Sequence, residues 1–488
     1  MDDNAALVLE AVRPPAGARH AQAPGRMVRA MSEREFDVVV IGAGPAGEVA
    51  AGRLAARGHA TALVEAHLVG GECAFYACMP SKALLRPGEL HAEAVRVPGV
   101  REAVRGELDA RATLRRRDEV IHGLDDSGQV PWLQKRGATV VRGHGRLDGE
   151  RRVRVGDDVL VAREAVIVAT GSQALLPPIP GLVESRPWTN REATTSERIP
   201  PRLLVLGAGV VGVELAQAYA SLGSTVTLVE AAARILAREE PFAADTIHTA
   251  LRERGVEILT AAPAARVQRD GTGEVTLTLE NGRSLQGDEL LVAVGRKPLT
   301  DDLGLETVGI EPGGILDVDD RMQVPGHPWL YAIGDVNGRA LLTHTGKYQA
   351  RIATLVLGGD EQARAAHDGA GAPRVIFTDP QVAAVGMTEA AAREAGIEVR
   401  TVSHPTAAIA GASFVGRHTP GNTQLVIDAG RDIIVGATFV GFEVAEMLQA
   451  ATIAIVNDVP IAKLWACMAP FPTRSEVWLR LLEAYEAG

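Results

Sequence analysis

The sequence predicts an α/β protein of several domains, in which two parallel-sheet units precede a C-terminal domain of another kind. With 488 residues, 46% of them hydrophobic, the chain is too long for a single core. One arrangement of strand, glycine-rich turn, helix and strand occurs twice. From about Pro373 onward strands and helices alternate without such a turn, which indicates a separate α+β domain.

The first unit is predicted from the apolar run at 37–41 and the segments that follow it. The run reads as a strand, residues 42–47 as a tight turn, the next segment as a helix through Ala56, and 61–64 as a second strand that ends at Glu65. The second unit repeats this order. Its predicted elements are a strand at 203–206, a turn at 207–212, a helix through Leu222 and a strand at 225–229 that ends at Glu230.

Each turn has the pattern G-x-G-x-x-G, whose glycines have separate roles. The first glycine permits the tight turn, the second lets the backbone approach a pyrophosphate, and the third lets helix and strand pack closely. The helix N-terminus attracts the phosphates, and the acidic residue accepts hydrogen bonds from ribose hydroxyls. The predicted cofactor-binding residues are Gly42, Gly44, Gly47 and Glu65 in the first unit and Gly207, Gly209, Gly212 and Glu230 in the second. Both units are therefore predicted to be Rossmann-like dinucleotide-binding domains.

The cysteines are few and two of them are close together. Cys73 and Cys78 precede Pro-Ser-Lys, which ends at Lys82, and the only other cysteine is Cys467. Three cysteines are too few for a secreted disulfide scaffold of this size, and the close pair lacks the partners of a structural zinc site. No metal site is predicted. A dinucleotide site beside a cysteine pair indicates two-electron transfer to a disulfide.

Charge and hydropathy exclude other classes of protein. The net charge of −11 argues against a nucleic-acid-binding surface, and no apolar run is long enough for a membrane span. Residues 1–34 are rich in Ala, Pro and Arg without the hydrophobic core of a signal peptide. They are predicted to be a disordered extension, or to precede a true start at Met27 or Met31. We expect a cytoplasmic protein.

Taken together, these motifs resemble those of the pyridine nucleotide–disulfide oxidoreductases, the flavoprotein disulfide reductases that include lipoamide dehydrogenase, glutathione reductase and mercuric reductase. The resemblance extends from about Phe36 to Tyr485. It depends on the two glycine turns, the C-x4-C-x-P-S-K box, and further short motifs in the expected order, which are Ala169-Thr170-Gly171, Gly295-Arg296, Gly334-Asp335 and Phe377-Thr378-Asp379-Pro380.

The resemblance implies an order of domains along the chain. The expected boundaries are an FAD-binding domain in two parts, 35–185 and 309–371, an NAD(P)-binding domain at 186–308, and a dimerisation domain at 372–488. A homodimer is expected, in which the partner subunit completes each active site.

The resemblance also implies roles for individual residues. The first glycine turn would hold FAD, with Asp335 near its ribityl and phosphate groups, and the second would hold the nicotinamide nucleotide. Cys78 would be the charge-transfer cysteine beside the flavin and Cys73 the cysteine that meets the substrate. Lys82 and Glu214 would form an ion pair near the flavin and the nicotinamide. Other expected cofactor contacts are Thr170, Gly171, Gly295, Gly334 and His344, the last as a flavin-environment residue rather than a base.

The C-terminal motif departs from the family pattern. The family's His-Pro-Thr-x-x-Glu appears here with Phe471 in place of the histidine, while Glu476 keeps the glutamate. Phenylalanine moves no protons, so dithiol–disulfide exchange loses a general acid/base whose contribution is about 10²–10⁴ in rate. We expect poor lipoamide dehydrogenase activity. Glu476 is either a vestige or a contact for a substrate group.

The cysteine loop departs from the pattern as well. Glu72 stands where relatives usually have threonine, and a carboxylate there would raise the pKa of Cys73 if the side chain points inward. Phe75 and Tyr76 are expected to narrow or reshape the access to the disulfide, with Tyr76 as loop wall or as a substitute proton donor. Cys467 is expected to be buried, with a third redox thiol as the alternative.

The sequence therefore predicts an FAD-dependent NAD(P)H oxidoreductase that passes electrons through Cys73 and Cys78 to a small-molecule acceptor. That acceptor is a disulfide or another compound such as a quinone. Glu230 favours NAD(H) over NADP(H), because a carboxylate repels a 2′-phosphate. Dihydrolipoyl dehydrogenase is the alternative enzyme, and a flavin-binding protein without disulfide turnover is the alternative from another class.

Overall fold

The computed structural model describes residues 32–416 and 419–487. It contains three main sheets. The first sheet has eight strands. Their bounds are Glu33–Ile41, Thr61–Glu65, Thr139–Arg142, Gly145–Leu147, Arg152–Val155, Asp158–Val168, Gln323–Val324 and His327–Ala332. The central strand 33–41 pairs in parallel with 61–65 on one side and with 158–168 on the other. Strand 327–332 joins the sheet beside 158–168, so the chain returns to its first domain after leaving it.

The central strand starts earlier than the sequence indicates. It begins at Glu33 rather than at Asp37, because residues 33–36 pair in register with residues 159–162. The predicted disordered extension at 1–34 therefore wrongly includes residues 33 and 34, which belong to this strand. Residues 1–31 lie outside the described residues. The return to the first domain also comes before residue 309, since Leu303 and Leu305 pack into its core.

Both faces of the first sheet are covered, which explains the continuous apolar run of its central strand. Val38 and Val40 pack among the helices, in one cluster with Leu54. Val39 and Ile41 point to the opposite face, among other strands and loops. The helices of this domain are Pro45–Ala55, Gly71–Phe75, Cys78–Arg96, Ala110–Val120, Val130–Lys135 and Thr343–Leu357.

The second sheet repeats the parallel arrangement on a smaller scale. Its strands are, in spatial order, Glu257–Leu259, Thr225–Val229, Arg202–Leu206 and Glu289–Val292, all parallel. An antiparallel three-stranded sheet accompanies it, with strands Ala264–Arg269, Val275–Leu279 and Ser284–Gly287. The helices of this domain are Asn190–Thr195, Val210–Ser221 and Pro241–Glu253.

The third sheet is antiparallel and lies in the C-terminal domain. Its strands are, in spatial order, Arg374–Ile376, Gln381–Gly386, Ile433–Gly441, Asn422–Asp428 and Val399–Pro405. The helices of this domain are Glu389–Glu394, Leu448–Val456, Ile461–Leu464 and Val477–Ala487. The predicted class, two α/β units followed by an α+β domain, is confirmed.

The first two domains meet through short strands at their border. Ser172–Ala174 pairs antiparallel with Arg296–Pro298, and the turns before these strands hold Gly171 and Gly295. No helix among residues 32–416 and 419–487 is both long and apolar enough to cross a membrane.

Candidate active site

The first glycine turn is shaped by two close approaches of the backbone. Gly42 has a φ of +100°, and a Cβ on it would lie 2.4 Å from the Ala169 carbonyl oxygen. A Cβ on Gly47 would lie 1.8 Å from the Gly42 carbonyl oxygen. A Cβ on Gly44, by contrast, would meet no atom within 4 Å. The turn therefore leaves open space in front of a helix N-terminus, where a pyrophosphate fits.

The second turn has nearly the same dimensions. Gly207 also has a φ of +100°, a Cβ on Gly212 would lie 1.9 Å from the Gly207 oxygen, and Gly209 faces open space. The acidic residues match too. Glu65 accepts hydrogen bonds from the amides of Ala43 at 2.6 Å and His67 at 2.7 Å, and Glu230 accepts them from Ala208 at 2.7 Å and Ala232 at 2.8 Å. The two cradles are thus equally suited to a dinucleotide.

The remaining predicted cofactor contacts lie where the domains meet. Ser172 donates a hydrogen bond to Asp335 at 2.5 Å, and burial raises the pKa of the Asp335 carboxyl above its usual range. Thr170 donates to the Leu299 carbonyl at 2.9 Å, so its hydroxyl points to the border strand. His344 is exposed, and its Nε2 lies 2.7 Å from the Pro373 carbonyl oxygen.

A charged pair connects the helix that begins at Cys78 with the second domain. Lys82 Nζ donates to Glu214 Oε2 at 2.7 Å, and the Glu214 side chain is buried. The other Glu214 oxygen accepts the Phe377 amide at 2.9 Å. Lys82 also lies 4.7 Å from the centre of the Phe377 ring, so the ammonium has both a carboxylate and an aromatic face as partners.

Cys73 and Cys78 are free thiols whose pKa values are shifted in opposite directions. A hydrogen bond from the Cys73 thiol lowers the pKa of Cys78 to about 6, against the opposing effect of burial. The Thr343 hydroxyl, 3.4 Å from Cys78 Sγ, and the charge of Lys82 also favour the thiolate. The shared hydrogen bond raises the pKa of Cys73, and burial adds to the rise. The pair therefore holds one thiolate and one thiol at neutral pH.

Glu72 does not act on Cys73 as the sequence suggests. Its carboxylate binds Asn190 and Arg191, which belong to a helix of the second domain. The rise in the pKa of Cys73 comes first from Cys78 and then from burial, rather than from this charge. Phe75 does not narrow the access to the thiols as expected, because its side chain is only 1% exposed. Tyr76 is partly buried, with the Arg191 guanidinium 4.7 Å from its ring centre.

The C-terminal motif lies at the surface of the chain. Phe471 is 74% exposed and is joined to Pro472 by a cis peptide bond. Glu476 is buried, and one of its oxygens accepts a hydrogen bond from Arg480 at 2.9 Å. The other oxygen, Oε2, is buried and has no hydrogen-bond partner among the described residues.

The expectation that Cys467 is buried is wrong. It is exposed, on a turn that follows the helix 461–464 and leads to Met468, which is 92% exposed. The apolar neighbours of this cysteine in sequence lie on the surface rather than in a core.

Within the part of the chain that the structure describes, one cluster of potential metal ligands lies outside this region. Asp37, His59 and Glu164 bring candidate atoms within 4.8 Å of one another. Arg163 donates to Asp37 at 2.9 Å, and His59 Nδ1 lies 3.1 Å from Glu164, so these groups already satisfy each other.

Sequence reasoning missed two contributors to the site. Thr343 directly precedes the predicted residue His344, but no motif of the sequence marks it. Asn190 belongs to no motif, and it reaches the cysteine loop across 118 positions of sequence. Only the folded chain identifies it.

Two family models match this chain. The first, "pyridine nucleotide-disulphide oxidoreductase", covers residues 36–353, and the second, the dimerisation domain of the same family, covers residues 372–481. The chain belongs to the pyridine nucleotide–disulphide oxidoreductases. The family is FAD-dependent and uses NAD(P)H.

Individual relatives within this oxidoreductase family differ in what they act on. The chain is 35% identical to dihydrolipoyl dehydrogenase of Thermus scotoductus over 93% of its own length and 97% of the relative's. It is 31% identical to mercuric reductase of Bacillus cereus over 91% of its length and 70% of the relative's. The structure of the HOCl-induced flavoprotein disulfide reductase RclA from Escherichia coli, as a Cu(II) complex, matches with a TM-score of 0.81 at 28% identity, covering 91% of this chain and 99% of that one.

Proposed function

We propose that this protein is an FAD-dependent NAD(P)H oxidoreductase in which Cys73 and Cys78 alternate between a disulfide and a dithiol. The observation that supports this most is the split ionisation of the pair. The hydrogen bond from Cys73 is the main cause that lowers the pKa of Cys78, and Cys73 keeps its proton. Around Cys78 the chain adds the Thr343 hydroxyl, 3.4 Å from the sulfur, and the ammonium of Lys82, which the buried Glu214 holds at 2.7 Å. Both groups favour a thiolate at Cys78.

The two cradles have nearly the same geometry, so we assign the cofactors to them by the order of the motifs in the family. FAD would occupy the turn of Gly42, Gly44 and Gly47, and the nicotinamide nucleotide the turn of Gly207, Gly209 and Gly212. When bound, the nucleotide supplies a hydride and the flavin relays its two electrons to the cysteine pair.

NAD(H) is the proposed nucleotide. Glu230 presents a carboxylate where the ribose lies, and the guanidinium of Arg234 is directed to the carbonyls of Ala237 and Glu239, each at 3.2 Å. Arg234 is therefore occupied elsewhere and does not clamp a 2′-phosphate.

Four residues of the chain have the remaining roles in electron transfer. Cys78 carries the negative charge, which its hydrogen bonds and the ammonium of Lys82 stabilise. Cys73 keeps the proton and is the sulfur available to an acceptor. Glu214 holds Lys82 in place from a buried position.

The chemical class of the acceptor is inferred from Phe471. A disulfide acceptor releases thiolates that a general acid protonates, and Phe471 supplies no proton at that position. We therefore favour an acceptor that needs little such help, such as a quinone or a reactive disulfide. Dihydrolipoyl dehydrogenase remains the alternative, favoured by the similarity over 97% of that relative's length.

A second function, flavin binding without disulfide turnover, is favoured by the same residue. The paired charges of Lys82 and Glu214 and the ionised Cys78 argue against it, because each would stabilise a redox state that such a protein does not use.

We also propose that the protein is a homodimer formed through the domain that matches the dimerisation model. Phe471, Met468 and Ile453 are exposed apolar side chains of that domain. Light scattering coupled to size-exclusion chromatography tests this, and a monomer would contradict it.

Anaerobic titration with NADH, followed by the visible spectrum, tests the function. We expect a long-wavelength thiolate–flavin band, which a quinone discharges faster than lipoamide does. Rapid discharge by lipoamide would establish the alternative enzyme instead. Bleaching without that band, and without reoxidation by any acceptor, would favour the flavin-binding protein.

A further inference from the structure

The cysteine loop is fastened to the second domain at two points that enclose the redox pair. Directly before Cys73, Glu72 Oε2 accepts a hydrogen bond from Asn190 Nδ2 at 2.8 Å, and Oε1 binds Arg191. Two positions before Cys78, the carbonyl of Tyr76 accepts bonds from Asn190 Nδ2 at 2.9 Å and Thr194 Oγ1 at 3.0 Å. The side-chain amide of Asn190 thus donates both of its hydrogens to the loop.

The helix that provides these contacts, Asn190–Thr195, is itself firmly held. Thr189 and Glu192 form a capping box at its start. The fully buried Arg117 donates to the carbonyl of Ser196 at 2.9 Å just beyond its end. Directly before the helix, Trp188 exchanges backbone hydrogen bonds with the strand 289–292 of the second sheet. The helix is therefore a fixed support rather than a mobile segment.

A second cation, Arg296, completes the attachment of Glu72. Arg296 approaches Glu72 Oε2 at 3.5 Å, while it also donates to Ser172 Oγ at 2.7 Å and to the Asn190 side-chain oxygen at 3.3 Å. One carboxylate is thus shared by two guanidinium groups and an amide. A neutral amide at position 72 would keep the shape but lose the charge that attracts Arg191 and Arg296.

We propose that Glu72, Asn190 and Thr194 form a clamp that holds the reduced cysteine loop in the conformation of its disulfide, and so sets the redox equilibrium of the pair. This inference rests on the proposed function, in which the pair is redox-active. Closing a disulfide brings two sulfurs together, and a loop that is already held loses less conformational freedom on closing. The clamp therefore favours the disulfide over the dithiol.

The test is a redox equilibration of the flavin-loaded protein in mixtures of reduced and oxidised dithiothreitol. Reduced dithiothreitol gives two electrons to the protein disulfide and becomes its cyclic disulfide. Of its two protons, one goes to Cys73 and the other to solvent, because Cys78 stays a thiolate at neutral pH, so the reaction balances without another partner. After the equilibrium is quenched with acid, the protein is unfolded and alkylated, and mass spectrometry of its peptides counts the thiols at Cys73 and Cys78. Cys467, a free thiol, reports whether alkylation is complete.

Two valine substitutions form a matched pair. The single hydroxyl hydrogen of Thr194 is shared between the Tyr76 carbonyl at 3.0 Å and the Asn190 carbonyl of its own helix at 2.8 Å, so Thr194→Val removes a loop contact together with a bond inside the helix. Thr195→Val, on the same helix, removes only a bond inside the helix, to the Arg191 carbonyl at 2.7 Å, and so controls for that loss. We expect Thr194→Val to lower the equilibrium constant for disulfide formation about fivefold, the effect of one hydrogen bond. Asn190→Ala should lower it about tenfold, which is ~30 mV toward less negative potential for a two-electron couple. Thr195→Val should leave it within twofold of the unchanged protein.

The outcomes separate the possibilities. If the unchanged protein forms no Cys73–Cys78 disulfide, the proposed function itself fails. If it does, but Asn190→Ala and Thr194→Val both match Thr195→Val, only the clamp is wrong. If Glu72→Gln shifts the equilibrium while Asn190→Ala and Thr194→Val do not, the charge of Glu72 acts on the sulfurs directly, and this too overturns the clamp.

Discussion

Replacing Thr343 with valine removes the hydroxyl that lies 3.4 Å from Cys78 Sγ and keeps the branched shape of the side chain. In the reduced protein that hydroxyl stabilises the thiolate but has no comparable effect on the thiol. We therefore expect Thr343→Val to raise the pKa of Cys78 from its value of about 6, while Thr343→Ser, which keeps a hydroxyl, should change it little.

The size of the effect follows from the contacts. A hydrogen bond to a charged group contributes about 1.5–3 kcal/mol, and a sulfur acceptor at this distance belongs at the lower end. A loss of about 1.4 kcal/mol corresponds to a tenfold change in the ionisation constant. Cys73→Ala should have a larger effect, because the hydrogen bond from Cys73 is the main cause that lowers the pKa of Cys78.

The assay is the rate at which iodoacetamide alkylates Cys78 in the reduced protein, measured between pH 4.5 and 9.5. The rate follows the thiolate fraction, so its midpoint reports the pKa. We expect a midpoint near pH 6 in the unchanged protein and a clearly higher one in Thr343→Val. A midpoint near the ordinary thiol value of 9, or identical curves for the valine and serine variants, would refute this account of the site.

The same ionisation affects the stability of the reduced protein. Because the pKa of Cys78 is lower in the folded state than the ordinary 9, the thiolate adds stability that is fully present above pH 9. This contribution shrinks as the pH falls and is lost as the pH passes through about 6. Oxidation to the disulfide removes the titrating group, so the oxidised protein should lack this pH dependence.

Three further predictions concern the cradles and the C-terminal motif. Gly212→Ala places a Cβ 1.9 Å from the Gly207 oxygen, so NADH binding should weaken at least tenfold in calorimetry while the flavin absorbance stays. NADH should exceed NADPH at least tenfold in kcat/KM, and Glu230→Ala should bring that ratio toward one as the repulsion of the 2′-phosphate is lost; an unchanged ratio would count against the assigned role of Glu230. Phe471→His should raise lipoamide turnover by about 10²-fold or more, with Phe471→Leu as the control, and equal rates in both would show that this position is not the missing acid/base.

The glycine turns could be predicted from the sequence because their requirements are local. A Cβ at Gly47 or Gly212 collides with an oxygen only five residues away, so the same spacing produces the same turn twice. The acidic residues at the ends of the following strands are fixed by this geometry as well. The fold class followed from these units and from the change of pattern near Pro373.

Other features depend on contacts that no local pattern records. Glu72 was expected to act on its neighbour Cys73, but its partners Asn190 and Arg191 stand 118 and 119 positions further along the chain. Cys467 has apolar neighbours in sequence, yet the turn that carries it lies at the surface. Burial of such residues is decided by how the domains pack.

The presence of Phe471 in place of a histidine is compatible with the ionisation of the two thiols, as the proton balance of the reaction shows. A hydride carries two electrons and one proton, so its transfer to a disulfide yields one thiolate and one thiol. Cys78, with its pKa near 6, and Cys73, with its raised pKa, match that product without any external acid or base. In the proposed reaction, reduction of the pair by NADH therefore has no need of the histidine that Phe471 replaces. The need arises only when a second disulfide exchanges with the dithiol, so under this proposal the replacement affects the choice of acceptor and leaves the supply of electrons intact.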